Sequence, residues 1–495
     1  MMGYQTLAAV DLGSNSFKLQ VARVQGEQLY LLDALKEPVR LAAGLDKNKR
    51  LDADSQQRAL DCLRRFSERL RGLPEGAVRC VGTSALRVAK NAEQFLEQAE
   101  AALGFPIEII AGREEARLIY LGVTHSLPPS SGRRLVVDIG GGSTECIIGS
   151  GVAQERRESL QMGCVNFSLR FFANGKLDKA AMKEAELEAR LVAQGIEADF
   201  GKSHWDEAVG SSGSIRAVAD ILEANGWGQG VNAEGMAWLR EAMLKAGHVD
   251  KLDIPGLRAD RRPVLAGGFA ILSGLFAELG IGQMNPASGA LREGILYDLL
   301  GRMSRNDMRE ETVAEFMRRY HVDPRQAARV EKLALRLFKS VAPADKEEKQ
   351  EARRFLSWAA HLHEIGISIA HSGYHKHGAY ILENADMPGF SRTDQERLAL
   401  LVRAQRGAVA KLPPLAAGGE LAGIDRTLAW LLRQAVILCR NRAEPSLPEV
   451  QPETTAKGYR LRLARTWLED NALTWRALEE EAVYWASVGV RVQYD

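Results

Sequence analysis

Up to about residue 302, short apolar runs ending in glycine alternate with amphipathic stretches; beyond it the amphipathic pattern dominates. Residues 6–11 are apolar and stop at a glycine turn. Runs 17–24 and 29–35 flank Gln25-Gly-Glu-Gln28, a hairpin signal. Leu60, Leu63, Phe66, Leu70 and Leu73 fall on one helical face. A strand at 78–81 leads into Gly82-Thr-Ser-Ala-Leu-Arg87, and Asn91 with Gln94 reads as a helix start capped by Asn91. A strand at 107–110 and a helix from Gly112 to about 121 complete a β-β-β-α-β-α-β-α order. That order begins again: strands at 135–138, 145–148 and 152–160, a helix at 179–198, a strand at 207–209, helices at 235–246 and 263–279, and a turn into a helix at 288–300. Both halves open with an apolar strand, Asp, an apolar residue, Gly and small polar residues, which points to a duplicated domain.

After residue 302 helical periods take over, with Val330, Leu333, Ala334 and Leu337 as one apolar stripe. Asp345-Lys-Glu-Glu-Lys-Gln-Glu351 reads as a solvated helix start or loop, and 398–402 and 428–438 continue the helical pattern. Pro413-Pro414 and Gly418-Gly419 mark loops, and Tyr459-Arg-Leu-Arg-Leu463 alternates like a strand. The expected division is 1–122, 123–301, 302–440 and 441–495.

Composition changes this picture little. The chain is 46% hydrophobic and 26% charged over 495 residues, enough for several cores. A net charge of +1 gives no global field for nucleic acid, so a polyanion would need locally placed Arg and Lys. No signal peptide and no run of about 18 apolar residues is read from the sequence, and five cysteines without a C-x-x-C pair suit a reduced, cytoplasmic protein.

The chemistry concentrates in the glycine turns. Asp11-Leu-Gly-Ser-Asn-Ser16 leaves backbone N–H groups in one concavity, with Gly13 for close approach and Ser14, Asn15 and Ser16 as short donors. Gly140, Gly141, Gly142, Ser143 and Thr144 repeat the arrangement after Asp138, and Glu145 adds a carboxylate beyond it. Gly210, Ser211, Ser212, Gly213 and Ser214 form a third nest. A single such turn is as readily a tight hairpin; two after matching strands are not. Strand-end aspartates suit a cation at the carboxyl edge of a sheet.

Those motifs, with Thr83-Ser-Ala-Leu-Arg87, Gly112-Arg-Glu-Glu-Ala-Arg117 and Gly289-Ala-Leu-Arg-Glu-Gly294, occur in an order that resembles the exopolyphosphatase/guanosine pentaphosphate phosphohydrolase family of the actin, Hsp70 and sugar-kinase superfamily. The resemblance covers the whole chain. It implies an α/β + α protein: duplicated ribonuclease-H-like (actin-like ATPase) domains, a helical HD-like domain and a small C-terminal α+β domain. It further implies Glu115 as the general base, with Asp138 and Glu145 catalytic beside it. Asp11, Asp138 and Glu145 would position Mg²⁺ or the lytic water, Arg87 would bind phosphate oxygens, and a monovalent cation such as K⁺ is a second candidate cofactor. A cytoplasmic homodimer without a transmembrane segment is expected; peripheral membrane association stays open.

On the residues alone, Glu114 and Glu115 could simply complement a helix dipole, Arg87 could be a surface arginine, and Arg292-Glu293 could be an ion pair locking the last helix of the second lobe. His361, His363 and Glu364 resemble a divergent HD site lacking the His-Asp pair, with Asp386 as a further ligand candidate; a helical domain without catalytic metal is the plainer reading. His375, Lys376, His377 and Arg392 could line a polyanion channel. Lys18 departs from the family, where many members have His.

Inorganic polyphosphate is the first expected substrate, because the third glycine, Gly142, and the 371–382 stretch resemble exopolyphosphatases; guanosine pentaphosphate is the alternative. A sugar or acetate kinase and a non-catalytic actin-like protein are the remoter readings.

Overall fold

A computed structural model describes residues 4–25, 28–128, 132–303, 307–412, 423–444 and 447–495. The loops expected at 413–414 and 418–419 lie outside the described residues. The chain divides into two compact units, Met1–Asp307 and Met308–Asp495.

The first unit opens with β1 (Thr6–Leu12), β2 (Phe17–Gln25) and β3 (Gln28–Glu37), an antiparallel meander in which Gln25 faces Gln28 as the hairpin signal requires. There follow α1 (Ala53–Leu70), β4 (Val78–Gly82), α2 (Ser84–Val88), α3 (Ala92–Leu103), β5 (Ile107–Ile109) and α4 (Gly112–Ser126). The five-stranded sheet has the order β3-β2-β1-β4-β5. Its central strand β1 is covered on both faces, which explains its unbroken apolar run. Asn91 precedes α3 but does not cap it. Its side chain instead accepts from Leu51 N (2.9 Å) and donates to Leu51 O (3.1 Å), tying two loops together.

The same plan recurs in β6 (Arg133–Ile139), β7 (Thr144–Ser150), β8 (Ala153–Leu160), α5 (Cys164–Phe171), α6 (Lys179–Gln194), α7 (Glu197–Phe200), β9 (Glu207–Ser211) and α8 (Ser212–Ala224). Then come β10 (Val231–Asn232), α9 (Ala233–Ala246), α10 (Leu265–Leu279), β11 (Gln283–Pro286) and α11 (Leu291–Met303). The six-stranded order is β10-β11-β9-β6-β7-β8. Asp11 faces Lys18 on β2 and Val81 on β4, and Asp138 faces Glu145 on β7 and Ser211 on β9. The two sheets therefore present equivalent strand ends. One stretch, Arg262–Leu279, does reach the length and apolarity of a membrane span; it is 67% buried and packs against α5, α6 and α8 as a core helix.

The helices at the two chain crossings exchange sheets. α4 leaves the first lobe and packs on β7 and β8; α11 leaves the second and packs on β1 and β2. The two meet at glycines: a Cβ on Gly294 would lie 1.7 Å from the Leu118 carbonyl oxygen, and one on Gly122 2.0 Å from that of Ala290. The helix at 291–303, expected to close the second lobe, thus belongs to the core beneath the first sheet, with Leu291, Ile295 and Leu299 buried alongside Leu7 and Ala9. No Arg292–Glu293 pair locks it; Glu293 accepts from Ala290 N at 2.9 Å. A buried ion network clamps the crossing instead. Arg117 holds Glu114 through Nε (2.7 Å) and Nη2 (2.8 Å) and also pairs with Asp298, which binds Arg79 (2.7 Å) and Arg302 (3.0 Å).

The second unit contains α12 (Met308–Arg319), α13 (Pro324–Val341), α14 (Lys346–Leu362), α15 (Tyr374–Asn384), α16 (Arg392–Ala404) and α17 (Gly423–Leu438), followed by β12 (Gln451–Thr455), β13 (Gly458–Arg462), α18 (Arg465–Asp470), α19 (Ala472–Ala486) and β14 (Arg491–Tyr494). Val330, Leu333, Ala334 and Leu337 form the buried stripe of α13, and Asp345 caps α14 by accepting from Glu347 N and Glu348 N. The three-stranded sheet joins the helices through Tyr459 stacked on Trp430 (4.5 Å) and a buried Arg433–Glu481 pair.

Candidate active site

The glycines of both turns are set by close approach. A Cβ on Gly13 would lie 2.8 Å from Ser16 O, and one on Gly140 3.0 Å from Ser143 O, so the turns repeat one constraint. Gly141 packs on the other turn: its Cβ would meet Ser14 Cβ at 2.9 Å and Asn15 N at 3.1 Å. Gly142 faces Ser84 Oγ, 2.6 Å from where its Cβ would be. The third glycine therefore answers to a serine of this chain, and its use as a sign of polyphosphate loses its physical basis.

Several hydroxyls expected on phosphate are already engaged. Thr144 Oγ1 donates to Met162 O (2.7 Å), Ser211 Oγ to Gly289 O (3.2 Å) and Ser214 Oγ to Ile139 O (3.1 Å). Ser14 Oγ accepts from Ala85 N (3.1 Å). Ser212 has φ 83°, a strained value for a non-glycine residue, and its Oγ accepts from Ser214 N and Ile215 N. Arg261 lies over Gly213, where a Cβ would come within 2.2 Å of its Nη2.

Four carboxylates and one arginine converge behind the turns. Arg87, in the last turn of α2, donates through Nη1 to Ile110 O (2.9 Å) and to Glu115 Oε2 (2.7 Å). Glu115 starts α4 beside Glu114, but the two diverge: Glu114 enters the buried network and Glu115 faces Arg87. Gly112 permits this, since its Cβ would collide with Ser159 Oγ at 2.5 Å. Ser159 in turn donates to Glu145 Oε1 (2.8 Å). Burial raises Glu115 above its ordinary value, against the Arg87 cation that lowers it. Glu145 is pushed well up by burial and then by the Glu115 and Asp138 charges, and burial also raises Asp138, opposed by Ser211 and Lys18. Asp11 Oδ1, Glu145 Oε2 and Arg87 Nη2 are buried without hydrogen-bond partners. Unsatisfied charged atoms of both signs in one cleft are what a bound anion with its counter-cation would satisfy. Among the described residues no three His, Cys, Asp or Glu side chains gather at metal-ligand spacing, so Asp11, Asp138 and Glu145 do not form one three-carboxylate cage.

The family model of Ppx/GppA phosphatases matches residues 20–303, and the model of its domain III matches 308–482. The chain belongs to the Ppx/GppA phosphatase family. Its fold is the actin-like two-lobed α/β fold of that family, followed by the helical domain III and a small C-terminal sheet. A guanosine-5′-triphosphate,3′-diphosphate pyrophosphatase of Aeromonas hydrophila subsp. hydrophila is 40% identical over 467 residues, 94% of this chain and 94% of that protein. One of Pseudoalteromonas translucida is 37% identical over 484 residues, 97% of each. The crystal structure of an exopolyphosphatase-like protein aligns with TM-score 0.54 and 25% identity over 60% of this chain and 98% of that one.

Within this Ppx/GppA chain the histidine-rich segment lies in the second unit, and its members have separate partners. His361 Nδ1 meets Ser357 O (3.0 Å) and its Nε2 lies 3.6 Å from Glu331; buried His363 meets Ala360 O (2.7 Å); Glu364 binds Arg442 (2.5 Å). Arg392 reaches Glu396 at 3.3 Å. His375 keeps a buried Nδ1 without a partner, and burial, then Arg406, Lys376 and Arg403, lowers it to about 4. Sequence reasoning missed Ser84, Ser159, Arg261 and the pairing of Lys18. Period-two alternation through the first hairpin would have placed Lys18 opposite Asp11; the others meet the site only through packing between strands and lobes.

Proposed function

We propose that this chain hydrolyses the terminal 5′ phosphoanhydride of guanosine 5′-triphosphate 3′-diphosphate, giving orthophosphate and guanosine 5′-diphosphate 3′-diphosphate. This reverses the order expected from sequence, in which polyphosphate came first. What carries it is identity of 37% and 40% to relatives named for that nucleotide over nearly the whole chain. The exopolyphosphatase likeness rests on 25% identity over 60% of the chain.

In the reaction Glu115 takes a proton from water as its oxygen attacks the terminal phosphorus. The bond to the bridging oxygen breaks and the nucleotide diphosphate leaves. A buried carboxylate with a raised proton affinity is a stronger base than an exposed one, and Arg87 favours its ionised form and aims it. Arg87 Nη2 is free to take a phosphate oxygen, and the backbone of both turns supplies further donors. The unpartnered Asp11 Oδ1 and Glu145 Oε2 fit an oxygen-seeking cation such as Mg²⁺, which uses one or two carboxylates and substrate oxygens. Bound there it would neutralise phosphate charge.

The test is phosphate release by the purified protein with Mg²⁺ from guanosine pentaphosphate and from long-chain polyphosphate. Faster turnover of the nucleotide is expected; a strong preference for polyphosphate would restore the other order. Glu115→Gln should cost about 10²–10⁴-fold in kcat with either substrate, and unchanged release would remove Glu115 as the base.

A further inference from the structure

Beside the crossing of α4 and α11 the first sheet leaves a cavity of about 110 Å³, bounded by β2 and β3 and by the last turn of α4 and the first turns of α11. Leu29, Leu31 and Leu296 give it an apolar wall, and the exposed Leu31 and His125 mark its mouth. Glu115 lies 125 − 115 = 10 residues before His125 on α4, about 15 Å along the helix. The cavity is therefore separate from the cleft of the glycine turns.

Its polar groups mostly accept. Gln20 lines it with 7% of its surface exposed, and its amide has no hydrogen-bond partner among the described residues. A buried amide left unpaired costs free energy, which a bound donor recovers. Glu293 Oε2 accepts from Ala290 N (2.9 Å), an ordinary helix-start contact, and Oε1 has no partner among the described residues. Of the described lining residues Glu293 alone carries a fixed charge, so no cation there balances it. Tyr297 stacks on His125 with ring centroids 3.8 Å apart. His125 Nδ1 donates to Leu121 O (2.8 Å), which leaves Nε2 of the neutral ring as an acceptor. One carboxylate among leucines suits neither an anion nor a hard metal ion, which keeps its waters and seeks several oxygens. It suits an ammonium with an apolar body. An apolar cavity of about 150 Å³ takes benzene, so this one takes a molecule of about six heavy atoms or fewer.

We propose that this cavity is a binding site for a small protonated amine, its ammonium on Glu293 Oε1 and the Gln20 carbonyl and its alkyl body against Leu29, Leu31 and Leu296. The bound amine would tie α11 to the hairpin of β2 and β3.

The test uses the full chain and three probes with one alkyl body: 3-methylbutylamine, protonated at neutral pH, 3-methyl-1-butanol and 3-methylbutanoate. Binding is followed by ligand-observed NMR titration. The amine should bind at about millimolar Kd or tighter, and the alcohol and the carboxylate at least about tenfold more weakly. Glu293→Gln keeps an acceptor for Ala290 N and removes the charge; it should weaken the amine about tenfold or more and erase its advantage over the alcohol. Gln20→Leu should weaken the amine about three- to tenfold without lowering the thermal transition, because it deletes an unpaired buried amide. Equal binding of the three probes, a preference for the alcohol or the carboxylate, no binding of the amine, or an unchanged amine affinity in Glu293→Gln overturns the proposal. If Glu293→Gln loses its thermal transition, Gln20→Leu decides: a weakened amine upholds the site, and an unchanged one refutes it.

Discussion

At the residue scale the decisive contact is between Arg87 and Glu115. Arg87 Nη1 lies 2.7 Å from Glu115 Oε2 and favours the charged carboxylate, whereas burial and the Asp11 and Asp138 charges favour the neutral one. On the mechanism proposed for it Glu115 works only when ionised, so activity should fall at acid pH as it takes up a proton. Removing the cation raises the proton affinity further. Arg87→Ala should therefore move the acid limb of the kcat/KM profile to higher pH, besides lowering its plateau about 10²–10³-fold through loss of the phosphate contact proposed for it. A pH–rate profile for the two proteins measures both, and a limb that stays in place would mean that Arg87 does not set the state of Glu115. Asp11, Arg87, Glu115, Asp138 and Glu145 could be picked out in the sequence because each sits in a short contiguous motif at or beside a turn. Ser84 and Ser159 could not. Their roles come from a turn of one lobe resting on the other and from β8 closing on the start of α4.

At the scale of elements, periodicity found the longer strands and helices of the first unit but not α2, α5, α8, β10 or β11, and in the second unit it did not mark α12, α15, α18 or α19. α8 begins inside a nest of small residues, and only the left-handed Ser212 turns the chain from strand to helix there. β11 is four residues long and ends in proline, too short to alternate. The apolar faces of α4 and α11 were visible; the sheets they cover were not, since an apolar stripe does not name its partner. Their crossing is tight enough to test. Gly294→Ala places a methyl group against the Leu118 backbone, which cannot swing aside as a side chain can. A loss of at least about 1–3 kcal/mol is expected, with lower activity, because α4 carries Glu115. Denaturant unfolding and phosphate release report the two effects, and a variant with unchanged stability would mean that the helices part at little cost.

At the scale of the whole molecule the duplication is visible in sequence and the exchange of helices is not. The first sheet is covered from below by residues that begin 291 − 109 = 182 positions after the end of its last strand: β5 ends at Ile109, and α11 spans Leu291–Met303. A chain emerging from the ribosome cannot close its first lobe when that lobe's strands have been made. Leu7, Ala9 and Val81 wait for Leu291, Ile295 and Leu299. The second lobe is in effect an insertion between two helices of a clasp, and the clasp shuts last. A chain ending at residue 290 should be cut readily by protease within β1–β5, whereas one ending at residue 307 should resist; limited proteolysis of the two would decide it. Such a molecule is made in the order of its sequence but completed in the order of its contacts, so its oldest residues are among the last to be protected.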